Sequence, residues 1–313
     1  MFAVFAMARL GLRFFLSVMG ILALPDSGNA QDVPNLWPLP PVPPGVIVYP
    51  DLAYVTHGSP SQKLDLYLPK EGRNLPLIIF VHAGAFYMGD KRKWISYELS
   101  YLTQGYAIAS INYRLSGEAV FPAQIEDCKA AVRWLRAHAA QYRLNPNHFA
   151  AWGASAGGHL AAMLGTTGHI SDFDVGENLS FSSRVQAVAD FFGSTDLTRL
   201  RPDHLLAGSP ESRFIGCAIK DHPDQARRAS PITYVTGDCP PFLIVHGDAD
   251  PIVPCAQSGL LAAALKKAGV PVTFYTVKGA KHGGFHDPQV QVLTSAFFAK
   301  YVKSARPKLA EGH

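Results

Sequence analysis

Little in this chain points to a membrane, a nucleic acid or a metal. Only 17% of its 313 residues are charged and the formal net charge is +4. Lysine and arginine are scattered, and the one tight basic cluster, Lys91-Arg92-Lys93, reads as the start of a solvated helix rather than a nucleic-acid footprint. Cysteine is sparse. The spacings of Cys128, Cys217, Cys239 and Cys255 match no zinc motif. Cys128 falls on the apolar face of an expected helix, where a buried free thiol is the ordinary outcome, and pairing among the other three is left open. No internal repeat is present. The apolar run 14–24 has eleven residues, against the roughly 20 needed to cross a bilayer.

That run does have a meaning. Arg9 and Arg13 precede it, Pro25 follows it, and the small residues Gly28 and Ala30 suit cleavage before Gln31. Residues 1–30 therefore read as a secretory signal peptide, which makes the expected location secreted or periplasmic, with no stable membrane anchor after cleavage. Six prolines in the eleven residues 34–44 make 31–50 an extended Pro-rich arm. A single catalytic domain is expected over 51–306, a length at which one α/β domain can bury a large core.

The domain reads as α/β. Leu64, Leu66 and Leu68 alternate with Asp65 and Tyr67, as in an edge hairpin. The segments 77–81, 107–111, 149–152, 185–191, 242–245 and 272–277 are short apolar runs of the kind buried on both faces of a parallel sheet. Helical patterns separate them. Ile125, Cys128, Val132, Leu135 and Ala139 share a face after Pro122, a second pattern around Leu260 and Leu265 stops at Gly269 and Pro271, and Asp287-Pro288 caps a third. This alternation implies a mostly parallel, doubly wound sheet with helices on both faces. Residues 193–233 break the rhythm. Too long for a plain connection and too polar for a core, they read as an excursion above the sheet that walls a substrate cleft.

The chemistry begins at Gly153-Ala154-Ser155-Ala156-Gly157, between the run 149–152 and the helix holding Leu160, Met163 and Leu164. A strand-to-helix turn this tight projects Ser155 over the sheet edge at a helix N-terminus, as a nucleophile requires. A serine hydroxyl needs a base, and the base an orienting acid. Of twelve histidines, His282 lies in a small-residue loop after the last apolar run. His159 points away below the elbow, His246 belongs to a turn network, and His286 is the weakest rival. The turn His246-Gly247-Asp248-Ala249-Asp250 offers two carboxylates; Asp250 is favoured as the acid, with Asp248 capping turn amides. The order Ser155, Asp250, His282 is that of α/β-hydrolases.

His82-Ala83-Gly84-Ala85-Phe86, after the run 77–81, resembles the His-Gly-Gly-Gly oxyanion loop of esterases, although alanine at 83 and 85 departs from the glycine-only form. The amides of Gly84, Ala85 and Ala156 are the expected oxyanion donors. Phe86, Tyr87, Met88 and Phe285 are candidate substrate contacts.

With these motifs, and with Ile111-Asn112-Tyr113-Arg114-Leu115, the helix from Ile125 to Leu135, Ser230-Pro231-Ile232-Thr233-Tyr234 and Pro240 through Asp250, the chain resembles the α/β-hydrolase-fold esterase/lipase family, in its bacterial group of feruloyl-esterase-like and acetylxylan-esterase-like enzymes. The resemblance runs from about Leu64 to Phe298. It implies that the second acid of the His-Gly-Asp-x-Asp segment, Asp250, serves the triad. It also implies a secreted serine carboxylic ester hydrolase working through an acyl-enzyme, without metal or cofactor, on a small-molecule or polysaccharide ester such as an acetyl or feruloyl ester. An arylformamidase-like amide hydrolase, a prolyl-oligopeptidase-like peptidase and a catalytically silent binding protein on the same scaffold are the competing readings.

Overall fold

A computed structural model describes residues 37–303. The expected signal peptide, the first residues of the Pro-rich arm and the last three residues of the expected domain lie outside them. Eight strands form one sheet: β1 (Val46–Ala53), β2 (Lys63–Pro69), β3 (Leu75–Val81), β4 (Ala107–Ile111), β5 (Leu144–Ala154), β6 (Ala187–Phe191), β7 (Phe242–Gly247) and β8 (Val272–Val277). Their order is β1-β2-β4-β3-β5-β6-β7-β8. β1 and β2 pair antiparallel, as do β2 and β4, and every other pair is parallel.

The helices are α1 (Ala123–Ala137), α2 (Ala156–Thr166), α3 (Pro210–Ile215), α4 (Pro223–Arg228), α5 (Ala256–Lys267) and α6 (Pro288–Phe298). Strand alternation sorts side chains into two cores. Leu77, Ile79, Phe149, Ala151, Phe242 and Ile244 face α1, α2 and α5. Ile78, Phe80, Ala150, Trp152, Leu243 and Val245 face α6 and the 3-10 helix Glu98–Gln104. Trp152 organises the second layer, its ring lying 5.3–5.5 Å from those of Tyr97, Tyr101, Phe191 and Phe298. The doubly wound sheet expected from the alternating pattern is therefore present, with helices on both faces.

Four local expectations need correcting. First, residues 46–50 belong to strand β1, so the sheet begins before position 51 and the arm ends sooner. Second, the expected edge hairpin is present as β1–β2, but the strand carrying Leu64, Leu66 and Leu68 is its inner one, buried along its middle, and β1 is the edge. Third, β8 is the opposite edge rather than a doubly buried strand, with Phe274 exposed. Periodicity cannot say which apolar strand lies last. Fourth, the 193–233 excursion is not too polar for a core. Leu197, Phe214, Ile215, Ile219, Ala226 and Ala229 are buried in the α1/α2 layer, but they are dispersed among short helical turns and make no continuous run.

Lys91-Arg92-Lys93 starts no helix. Lys91 Nζ lies 2.7 Å from Asp51 and 3.2 Å from Asp65, and Arg92 pairs with the same two carboxylates at 2.7 Å each. Lys91 and Asp65 are fully buried. The reason is visible in β2. Asp65 sits in an interior strand, where a lone carboxylate would be costly, and the basic pair supplies its counter-charge. The network bolts the β1–β2 hairpin to the segment leaving the Gly84 loop.

Two stability predictions follow from burial. Asp65→Ala leaves buried Lys91 and Arg92 to share the partly exposed Asp51 carboxylate and is expected to cost about 3–5 kcal/mol in urea unfolding. Glu98 is buried without a partner for Oε2, and burial pushes its carboxyl up to about 8. A carboxyl raised in the folded state binds more protons folded than unfolded, so its contribution is full below its unfolded value and is lost as pH rises toward about 8. Unfolding of Glu98→Gln measured from pH 5 to 9 should therefore lose less stability with rising pH than the parent; an equal slope would contradict this.

Candidate active site

β5 ends in the turn that carries Ser155, and α2 begins at the next residue. Ser155 has φ 55° and ψ −121°, a conformation that costs a non-glycine residue about 1–3 kcal/mol and is retained by its surroundings. Its amide donates to the Phe191 carbonyl at 2.8 Å, and its carbonyl accepts the His159 amide at 3.0 Å. Glycine at 157 permits the close approach. A Cβ there would overlap the carbonyl oxygens of Val81 and His82, so α2 starts pressed against the end of β3.

The Ser155 hydroxyl donates to His282 Nε2 at 2.9 Å, and His282 Nδ1 donates to Asp250 Oδ2 at 2.6 Å. Asp250 is fully buried at its side chain, while His282 keeps a 16% opening to solvent. Burial raises the Asp250 carboxyl, but hydrogen bonds from His246, His282 and the Ile252 amide outweigh it and hold the group well below the usual carboxylate range. The three residues expected to form the triad, from β5, the turn after β7 and the loop after β8, are thus in one hydrogen-bonded line.

Asp248 faces elsewhere. Its Oδ1 accepts the Gly279 amide at 2.6 Å, and the Ala249 amide donates to Ala280 at 3.0 Å. These bonds clasp the turn after β7 to the loop that delivers His282. Asp248 does cap a backbone amide, but that amide belongs to the loop after β8 and not to its own turn as expected.

At the end of β3, Gly84 has φ 132°, and a Cβ on it would overlap the Met88 carbonyl, so only glycine fits. Ala85 and Phe86 both adopt left-handed φ, 51° and 66°. The departure from the glycine-only form at 85 is therefore a strained alanine. The amides of Gly84, Ala85 and Ala156 donate to no acceptor among the described residues. His82 is buried, stacks on Tyr113 at 4.4 Å and bonds the Ala83 carbonyl; burial lowers its ring to about 4.

The expected substrate contacts divide. Phe86 is 2% exposed, stacked on Phe214 at 4.0 Å and edge-on to His159 at 5.1 Å, so it is a packing residue and not a substrate contact. Its left-handed backbone turns the ring down into the core. Tyr87 and Met88 are exposed on the same loop. Phe285 lies 5.4 Å from Phe192, whose ring in turn meets His282 at 4.8 Å. His159 is buried and bonds the Ser194 carbonyl at 2.7 Å, in keeping with a packing part.

Sequence reasoning missed three residues. Phe192, at φ 46°, borders the imidazole, and nothing in an apolar run singles it out. Asp190 is a lone acid inside an apolar run, and that signal was available. It accepts the Gly193 amide at 3.0 Å, and burial pushes its carboxyl up to about 6. His246, assigned to a turn, also reaches Asp250 Oδ2 at 3.1 Å. All four cysteines are free thiols, Cys128 buried on α1 as expected. No cluster among the described residues could hold a metal ion. A surface hollow beside Arg73, Ala140 and Arg143 lies at the starts of β3 and β5, the far end of the sheet from Ser155.

A protein-family model described as BD-FAE matches residues 64–265. Esterase LipQ of Mycobacterium tuberculosis is 35% identical over 216 residues, 68% of this chain and 51% of that protein. Esterase LipC of the same organism is 31% identical over 278 residues, 85% and 69% of the two chains. This chain thus spans about half the length of LipQ. Among solved structures, a truncated carbohydrate esterase from gut microbiota superposes with TM-score 0.76 at 36% identity, covering 81% of this chain and 95% of that one. Est2, a thermophilic esterase of Thermogutta terrifontis, gives TM-score 0.67 at 25% identity, with 84% and 96% covered. The sheet and its helices are an α/β-hydrolase fold.

The position of Phe86 yields a check. Phe86→Ala should destabilise by about 3–5 kcal/mol in denaturant unfolding, the cost of emptying a large core site; a stability change near zero would return it to the cleft.

Proposed function

Since the chain belongs to the BD-FAE family of α/β-hydrolase-fold esterases, we propose that it is a secreted serine carboxylic ester hydrolase acting through an acyl-enzyme. The observation that carries this reading is the unbroken line from the Ser155 hydroxyl through His282 to Asp250, with bonds of 2.9 and 2.6 Å.

The proposed reaction has two halves. Ser155 Oγ attacks the ester carbonyl while His282 Nε2 takes its proton, and the carbonyl oxygen becomes an oxyanion held by the amides of Gly84, Ala85 and Ala156. Their lack of protein acceptors supports that assignment. The imidazolium, steadied by ionised Asp250, gives its proton to the departing alcohol. A water then repeats the sequence on the acyl-enzyme and releases the acid. Every charge that develops has a group already facing it, so the reaction as written uses no metal or organic cofactor.

The substrates proposed are short acyl or polysaccharide-linked esters, such as acetyl or feruloyl esters. The support is the family and the carbohydrate-esterase relative, together with the leader-like pattern of residues 1–30. No helix among the described residues is long and apolar enough to cross a membrane. Within the cleft, Tyr87, Met88 and Phe285 are the proposed contacts, and Phe192 joins them because it borders His282. The excursion would form one wall, since Arg201 bonds the Pro251 carbonyl beside Asp250.

Hydrolysis of p-nitrophenyl acetate and release of acetate from acetylated xylan test the reading. Ser155→Ala should lose about 10⁴-fold or more in kcat, while an inert parent chain would overturn it. Asp250→Ala should cost far more activity than Asp248→Ala, and the reverse ranking would exchange their parts.

A further inference from the structure

His246 is fully buried at the end of β7, and each of its ring nitrogens has a partner. Nε2 lies 2.9 Å from the Val253 carbonyl, which only accepts, so this nitrogen carries the hydrogen. It is also 3.1 Å from Asp250 Oδ2. Nδ1, left with its lone pair, accepts the Ser258 hydroxyl from α5 at 2.7 Å. Ser258 thereby fixes the tautomer and polarises the opposite N–H toward the carboxylate.

From the side of Asp250 the arrangement is complete. Oδ1 accepts the amides of Ile252 at 2.8 Å and Val253 at 3.0 Å, and Oδ2 accepts His282 at 2.6 Å and His246 at 3.1 Å. A carboxylate with about four acceptor directions is then saturated, and its plane is locked. Without His246, Oδ2 would have His282 as its one donor. Its negative charge would be less dispersed, and the imidazolium form of His282 would be held more strongly.

We propose that His246 is a positioning residue that sets the basicity of His282 through Asp250, by sharing its Nε2 hydrogen between the Val253 carbonyl and Asp250 Oδ2. The proposal rests on the esterase reading for its catalytic meaning, but the coupling between the two histidines can be read separately. Other charged or titratable groups face the pair. Asp190 approaches His246 from β6, Asp248 lies in the same turn as Asp250, and Cys255 approaches both acids from the start of α5. The variants below leave all of these in place.

The experiment uses the full chain and compares the parent with His246→Phe, His246→Gln and Ser258→Ala. Two quantities are followed with pH: kcat/KM for p-nitrophenyl acetate, and the NMR signals of the His282 ring. His246→Phe, which keeps the ring but removes the donor, should lower kcat with little change in KM. It should also move both the acid limb and the ring midpoint upward by about half to one pH unit, the scale of one ordinary net hydrogen bond, as befits a hydrogen shared with the Val253 carbonyl. Glutamine retains an N–H donor and should recover most of that shift. Ser258→Ala, the milder change, should shift both in the same direction by less, and it decides the matter if the phenylalanine variant does not fold. A loss of kcat with acid limb and ring midpoint unmoved would reduce His246 to a packing residue and overturn the proposal. So would a glutamine variant no better than phenylalanine. Should the parent chain hydrolyse no ester, the esterase reading falls, and the His282 ring midpoint alone then sustains or overturns the coupling.

Discussion

The 2.6 Å hydrogen bond between His282 and Asp250 links side chains delivered by two separate loops. One leaves β7, an interior strand, and the other leaves β8, the edge. For that bond to form, the loops must be held in register over several residues. The sheet begins the task with the parallel pairing of β7 and β8 through Gly247 and Val277, and the Asp248 bond to Gly279 completes it. On the other side, β6 supplies the Phe191 carbonyl that holds the Ser155 amide. Much of the C-terminal rim can be understood as scaffolding that brings one imidazole between a carboxylate and a hydroxyl.

The meeting of Ser155, Asp250 and His282 was legible because each sits within a few residues of the end of an apolar run, and the chain order of such runs constrains which loops share an edge. Phe86 misled for a related reason. It follows a glycine motif beside the site, but whether an aromatic ring points to solvent or core depends on a left-handed φ that sequence does not display. Phe192 was invisible because its importance comes from the partner it touches and not from its neighbours in sequence. His246 was half legible. A buried histidine at a strand end announces a polar network, but the second carboxylate oxygen it reaches is a matter of ångströms.

Charge was the least legible property. Three consecutive basic residues ordinarily lie in water, and two of these do not, because β2 carries Asp65 into an interior strand and β1 brings Asp51 beside it. Alternation in β2 marks Asp65 as the polar residue but does not say whether its face is covered. An α/β sheet with two added antiparallel strands turns what looks like a wet face into a covered one.

The same four charges limit how the architecture can change. The β1–β2 hairpin is contiguous in sequence and sits at one side of the sheet, which would suit it to being trimmed or exchanged as a unit. It also carries both counter-ions of Lys91 and Arg92, residues that belong to the segment leaving the β3 loop. Shortening the chain from its N-terminal side would leave two cations without counter-charge a few residues from the Gly84 loop. The hairpin is therefore electrically part of the site's foundation, and variation at that end of the sheet has to preserve the sum of charge as well as the strands.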